Sequence, residues 1–284
     1  MKTILAKFRL YWPLTKSLQT GLLLSTGLAG FMSARCPVMH WYDFLGLAVS
    51  LFLAIAGSTI INMWYDRDID AVMNRTHHRP LADGRISPTE ALRLGLVLSV
   101  LGVGLAIAMS PLYGLIVFAG LFFDAVVYTI WLKRRTAWSI VWGGIAGGMP
   151  ILAGRAFGTG HIDGIGILLA LAVLFWIPTH ILTFAMRYMN DYRAAKIPTF
   201  PIVYGLPFTH ITIAISSVIA ALSISTAGIL IGMHWGFVRL LVVLSAGLIL
   251  LATATVLRPS ERVNFGLFKY ASVFMLSAMI LLSI

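Results

Sequence analysis

FLGLAVSLFLAIAGSTIINMWYDRDID, residues 44–70, decides the fold. From Phe44 to Tyr65 it carries no charged side chain. That length matches the roughly 20 residues an α-helix needs to cross the hydrocarbon of a bilayer. Three polar groups then arrive in register. Asn62, Asp66 and Asp70 stand at i, i+4 and i+8, so a helix carried through them keeps all three on one face, drifting by about 40° per step. Asp68 points to the far side. A membrane helix therefore ends in a line of hard oxygen atoms.

The rest of the chain reads the same way. Of its 284 residues 59% are hydrophobic and 11% charged, against roughly 25% charged in soluble domains. Apolar runs fall near 14–34, 44–64, 90–110, 112–132, 139–158, 164–184, 208–232, 236–257 and 265–284. The alternating ten-residue pattern of a membrane β-barrel is missing. The expectation is an all-α polytopic membrane protein, one domain over 1–284, with nine transmembrane helices around a central lipid-accessible cavity. Its site loops are expected at about 65–89, 133–138 and 187–207.

Lys and Arg set the expected orientation. With the N-terminus in the cytoplasm, the inner segments hold Lys2, Lys7, Arg9, Lys16, Arg67, Arg75, Arg79, Arg85, Arg93, Lys133, Arg134, Arg135, Arg187, Arg193, Lys196, Arg258, Arg262 and Lys269. Only Arg35, Arg155 and Arg239 remain outside. This split follows the positive-inside rule and puts the C-terminus outside the cell (inner) membrane. It also accounts for the net charge of +11 through topology and contact with anionic lipid, without nucleic acid. The basic start runs into an apolar stretch too long for a leader's core and without a good cleavage site, so it reads as the first membrane helix. The single Cys36 excludes an internal disulfide or a cysteine metal cluster.

The polar line on the second helix suits Mg²⁺, which takes few protein carboxylates and completes its shell with water and phosphate oxygens. Arg75 and Arg79 follow and can grip a phosphate in bidentate fashion. A solvated loop whose Arg and Asp residues pair with one another would carry the same residues. A second cluster, RYMNDYRAAKIPTFP, brings Arg187, Asn190, Asp191, Arg193 and Lys196 to the same membrane face, and YTIWLKRRT adds Lys133 and Arg134. Three loops over an apolar floor would take a substrate with a charged head and a long apolar tail. An anion transporter is the alternative from another class, though transporters usually keep their charges near the midplane.

Several single residues bear on the pocket. Asp124 lies inside the fourth span one turn before Tyr128, where an ionisable group is expensive and by default functional. It either lines the pocket or partners a buried cation. Trp64, Tyr65, Phe123 and Tyr128 are candidates to turn an aromatic face to a positive charge, each worth about 1–2 kcal/mol. His180 in the sixth span could be an imidazole ligand or join Thr179 in an interhelical hydrogen-bond pair. His77 and His78 read as plain loop residues. Gly143, Gly144, Gly147 and Gly148 make a small-residue face for close helix packing or a flat substrate.

Asn62–Asp66–Asp70 resembles the N-x-x-x-D-x-x-x-D signature of the UbiA superfamily of intramembrane prenyltransferases. The run DRDIDAVMNRTHHRPLADGRIS is similar to the haem O synthase branch, as are YTIWLKRRT, GGIAGGMP and PTHILTFAMRYMNDYRAAKIPTFPIVYG. The resemblance implies nine helices and Mg²⁺-dependent ionisation of a prenyl diphosphate, with farnesyl diphosphate as donor. It implies haem B as acceptor, attacked at a vinyl group with water completing the product; another apolar acceptor, such as an aromatic acid or quinone precursor, is the alternative. It implies catalytic roles for Asp66, Asp70 and Asp191, and metal ligation by these three with Asn62. Lys16, Arg75, Arg79, Lys133 and Arg134 would bind diphosphate, and His180, Asp124 and Tyr128 would face the acceptor. The chain departs from the branch at Ser17 and Leu18, where Pro-Arg is usual. It also departs at Arg155, where the double proline and tryptophan are missing, and at Asn190 beside Asp191.

Overall fold

The structure, a computed structural model, describes residues 9–35 and 40–284. Lys2, Lys7 and Cys36 lie outside the described residues. Among those described there is no strand. Helix α1 is Ser17–Ser33, preceded by a 3₁₀ turn at Trp12–Thr15. α2 is Trp41–Tyr65 and the short α3 is Arg67–Val72. α4 is Pro88–Met109, and α5, Pro111–Leu121, continues as π-helix over Phe122–Leu132. α6 is Ser139–Thr159, α7 Gly164–Arg187 and the short α8 Met189–Ala194. α9 is Phe200–Leu230, α10 Trp235–Leu257 and α11 Glu261–Ser283.

Eight of these helices are long and apolar enough to cross a membrane. α1 is the ninth long helix. Its 17 residues reach about 26 Å at 1.5 Å per residue, and the preceding 3₁₀ turn extends that path. Large apolar side chains such as Leu96, Val100, Val243 and Leu250 stand exposed on α4 and α10, as a lipid-facing surface requires.

Two apolar clusters divide the bundle. Phe31, Leu47, Leu51, Ile116 and Ala153 join α1, α2, α5 and α6. Leu169, Val173, Ile213, Leu241, Phe274 and Met275 join α7, α9, α10 and α11. α1 and α6 approach closely enough for backbones to touch: a Cβ on Gly154 would meet the Gly27 carbonyl oxygen at 1.9 Å. Small residues at membrane helix crossings permit this contact where apolar driving force is absent. Gly144 and Gly148 pack likewise on the backbone of α7 at Leu174 and Ala170, while Gly143 lies against the Tyr128 ring.

Two expected boundaries shift, and local chemistry explains both. The helix expected to run through Asp66 ends at Tyr65, because Asp66 takes φ −87° and ψ 3°. The i+4 hydrogen bonds nevertheless continue, from Asp66 N to Asn62 O at 2.9 Å and from Asp70 N to Asp66 O at 2.8 Å. The bend therefore leaves the polar face intact. The span expected to begin at 208 starts at Phe200, with Pro201 in its first turn where no N–H is needed. It bends at Gly205, whose φ 80° and ψ 168° only glycine adopts without strain. The segment expected to be a loop over 187–207 thus contains α8 and the first turn of α9.

Candidate active site

The polar face of α2 meets α1, α3 and α5 at one end of the bundle. Asn62, Asp66 and Asp70 are buried at 8%, 2% and 5% exposure, whereas the Asp68 side chain is 60% exposed. Each of the three buried groups faces one cation. Lys16 Nζ donates to Asn62 Oδ1 at 3.0 Å, and Arg79 Nη1 to Asp70 Oδ2 at 2.7 Å. Lys133 Nζ donates to Asp66 Oδ2. The Asn62 amide is fixed the right way round, since its Nδ2 donates to Thr129 Oγ1 at 2.9 Å, which leaves the carbonyl oxygen toward the cations.

Backbone geometry aims these side chains. Lys16 caps α1 in the left-handed region, φ 43° and ψ 58°, a conformation a non-glycine residue holds only when its surroundings enforce it. Burial alone would lower the Lys133 ammonium, but the Asp66 carboxylate outweighs it and holds it above its ordinary value. The loop after α3 is pinned by Thr76 Oγ1 on Asp70 O at 3.0 Å.

The second acidic motif joins through the backbone. Arg75 N donates to Asp191 Oδ2 at 3.1 Å, and Ile69, Met73 and Ile197 pack together beneath the two loops. The Arg75 guanidinium lies over Phe184 and Tyr188 at 4.9 and 5.4 Å, with its buried Nε unpartnered. It lies over these rings, and no carboxylate pairs with it among the described residues.

Other expected site residues lie elsewhere. Arg134 turns away from the chamber and clasps Asp68 with both amino groups at 2.8 and 2.7 Å, also donating to Tyr65 O. The hydrogen bonds from Arg134 hold the Asp68 carboxyl below its usual range. Only one Arg134 nitrogen comes within 3.9 Å of Asp66. Arg134, expected as a phosphate ligand, is engaged here in an ion pair with Asp68 on the outer face of the same bend. His180 is sandwiched between Trp176 and Phe268, with centroids at 4.9 and 4.5 Å, and Ser272 Oγ lies 3.3 Å from its Nδ1. It belongs to the α7–α11 contact, and Thr179 pairs instead with Ser217.

Arg155 and the α1 residues are also placed outside the chamber. Arg155 closes the opposite end of the bundle, buried at 5% exposure and bound to Asp163 and to Ser33 O. Leu18 is 90% exposed and Ser17 is exposed with it. Tyr128 lies beneath Lys133, 5.7 Å from Nζ to ring centroid. Sequence reasoning missed Ser58, which donates to Asp124, and Thr129. Ser58 was one more step of four back along the Asn62–Asp66–Asp70 face.

The arrangement fits a hard divalent cation on one specific count. Asp66 Oδ1 is buried without a hydrogen-bond partner, the state of an oxygen that an ion or a ligand would satisfy. It shares one buried face with the Asp70 carboxylate and the Asn62 carbonyl, the oxygen chemistry Mg²⁺ prefers. No group of three or more His, Cys, Asp or Glu side chains clusters tightly enough to ligate a metal among the described residues. Any such ion must therefore draw further ligands from water or substrate.

Buried oxygens, an excess of cations and an apolar helical bundle below them define an intramembrane enzyme acting on an anionic head with an apolar tail. The chain belongs to the UbiA prenyltransferase family, whose sequence model matches residues 23–277. It is an integral membrane protein. Protoheme IX farnesyltransferase of Archaeoglobus fulgidus is 47% identical over 192 residues, covering 68% of this chain and 67% of the relative. The protoheme IX farnesyltransferase of Desulforudis audaxviator is 37% identical over 270 residues, covering 93% of this chain and 84% of that one. Among solved structures, a UbiA homologue from Archaeoglobus fulgidus bound to GPP and Mg²⁺ shares the fold, with a TM-score of 0.71 over 98% of this chain and 99% of that one at 17% identity.

Proposed function

We propose that this protein transfers a farnesyl group from its diphosphate to haem B, giving haem O. The one-to-one pairing of Lys16, Lys133 and Arg79 with Asn62, Asp66 and Asp70 carries the donor half of this reading. The names of the relatives above support the acceptor half.

The cations are stored on protein oxygens until the substrate arrives. Asn62, Asp66 and Asp70 would then hold Mg²⁺, which supplies Lewis-acid stabilisation of charge on the leaving diphosphate; Asp191, expected among the ligands, is not gathered with them and accepts from Arg75 N instead. Lys16, Lys133 and Arg79 turn from their oxygens to the phosphates, with Arg75 beside them. Charge develops on the leaving group as the allylic C–O bond breaks, and cations fixed in advance stabilise it there without reorganising solvent. The apolar bundle beneath keeps stray water from the carbocation. His180, clamped by two rings in the α7–α11 contact, would ligate the acceptor's iron through the ring nitrogen that does not face Ser272.

Purified protein with Mg²⁺, farnesyl diphosphate and haem B should yield a hydroxyethylfarnesyl haem detectable by mass spectrometry. His180→Ala should weaken haem binding at least tenfold and leave farnesyl diphosphate binding unchanged, since the two use separate groups. Refusal of haem B together with prenylation of a phenol would replace the acceptor and keep the donor site.

The chamber, N-terminus and charged loops face the cytoplasm in this proposal, from the distribution of Lys and Arg. A reporter fused after Ile284 should appear outside the cell membrane, and one inserted near Asp83 inside. The reverse pattern would sink the orientation.

A further inference from the structure

Asp124 has no part in holding metal or diphosphate, yet it is set deeper than any other acid among the described residues. Asp43, Glu90 and Glu261 sit in first helical turns, and Asp163 is the N-cap of α7. The remaining acids belong to the chamber and its loops. Asp124 alone stands mid-span, in the π-helical stretch Phe122–Leu132. π-Turns inside membrane helices are rare and concentrate at functional sites. Here the backbone is held open by Thr129, whose hydroxyl donates to Asp124 O at 2.7 Å while accepting from Asn62.

The carboxylate lies directly beneath the chamber. Ser58, its hydroxyl partner, is four residues before Asn62 and eight before Asp66 on one buried face of α2. Each step of four descends about 6 Å, so Asp124 is one helical turn below Asn62 and two below Asp66. Its electrostatic neighbours are Lys16, Lys133 and Asp66, all chamber residues. Oδ2 accepts from Ser58, and the residue as a whole is half-buried. That is the depth at which a prenyl carbon would leave a diphosphate held by the groups above.

We infer that Asp124 is the base that receives the proton released by prenyl transfer. The inference rests on the proposed prenyl-transfer function but not on which acceptor is used. The C–O bond breaks with its electron pair going to the diphosphate, and a π pair of the acceptor forms the new C–C bond. Positive charge then resides on the acceptor and is discharged by proton loss. For haem B, water adds to the cation and gives up the proton; for a phenol, the ring carbon that was attacked does so. In both cases the proton passes to Asp124 Oδ1, while Ser58 keeps Oδ2 in place.

The test compares the unaltered enzyme with Asp124→Asn, Asp124→Glu and Ser58→Ala, using whichever of haem B or a phenol the unaltered enzyme turns over. Positioned general bases are worth roughly 10²–10⁴-fold. Asp124→Asn should lower kcat by at least about 100-fold on that scale, with the Kd for farnesyl diphosphate by calorimetry within threefold of the unaltered enzyme. Asp124→Glu should recover part of kcat, and Ser58→Ala should cost far less than Asp124→Asn. Turnover of Asp124→Asn within threefold of normal overturns the inference. So does a parallel loss of kcat and diphosphate affinity, or an Asp124→Glu no better than Asn, because those outcomes mark a helix contact. Refusal of haem B by the unaltered enzyme overturns the acceptor alone.

Discussion

Asp66→Asn and Asp70→Asn should each cut turnover by roughly a thousandfold, the scale seen when one preorganised electrostatic group is removed from a transition state. Asp68→Asn should cost less than about fivefold, because its partner is an exposed salt bridge worth about 0–1 kcal/mol. All three substitutions are nearly isosteric and sit within five residues of one another, so the contrast isolates direction. Asp66 and Asp70 turn inward onto Lys133 and Arg79, while Asp68 is 60% exposed and turned to Arg134. Initial rates at saturating farnesyl diphosphate, with Mg²⁺ titrated at each point, supply the measurement. The inward pair should also lose Mg²⁺ dependence, whereas Asp68→Asn should keep it. An Asp68→Asn enzyme as dead as its neighbours would mean the single-face reading is wrong. Asp66→Asn also leaves the buried Lys133 without its carboxylate, so size-exclusion and thermal unfolding in detergent must accompany the rates.

How far the sequence could be read depended on the kind of signal each residue left. Apolar length is a strong local signal, and the spans came through in order. The Asn62–Asp66–Asp70 face was legible because i+4 spacing survives a bend that keeps its i+4 hydrogen bonds. The bend itself, at an aspartate, left no sequence mark, since no Pro or Gly announces it. Gly205 and Pro207 did announce a break, but the helix resumes across them, and periodicity cannot tell a kink from an end. Long-range partners were least visible. Asp191 meets the backbone N–H of Arg75 rather than a side chain, and no pattern within either loop encodes that. Arg155 stood out only as a departure from the branch, and its partners Asp163 and Ser33 place it at the far end.

Lys133 and Arg134 are the sharpest case, two adjacent cations in LKRRT that sequence alone treats alike. Lys133→Met should weaken farnesyl diphosphate binding by roughly 100-fold and also lower thermal stability. Removing one partner of a buried ion pair costs about 3–5 kcal/mol, because the other charge stays behind in low dielectric. Here the abandoned charge is Asp66, whose side chain is 3% exposed and whose Oδ1 already has no hydrogen-bond partner. Arg134→Met should change binding by less than about fivefold, since the pair it breaks with Asp68 is half in solvent and worth about 0–1 kcal/mol. Its donation to Tyr65 O and its 3.9 Å approach to Asp66 brace the bend and should register in unfolding temperature before affinity. The double variant Asp66→Asn/Lys133→Met should be less damaged in stability than the two single losses summed, because neither charge is then stranded and contacting residues do not add independently. Calorimetric Kd values and unfolding midpoints for these four variants and the unaltered protein decide the matter. Equal losses at Lys133 and Arg134 would show both cations reaching the diphosphate, with the Arg134–Asp68 clasp opening to allow it.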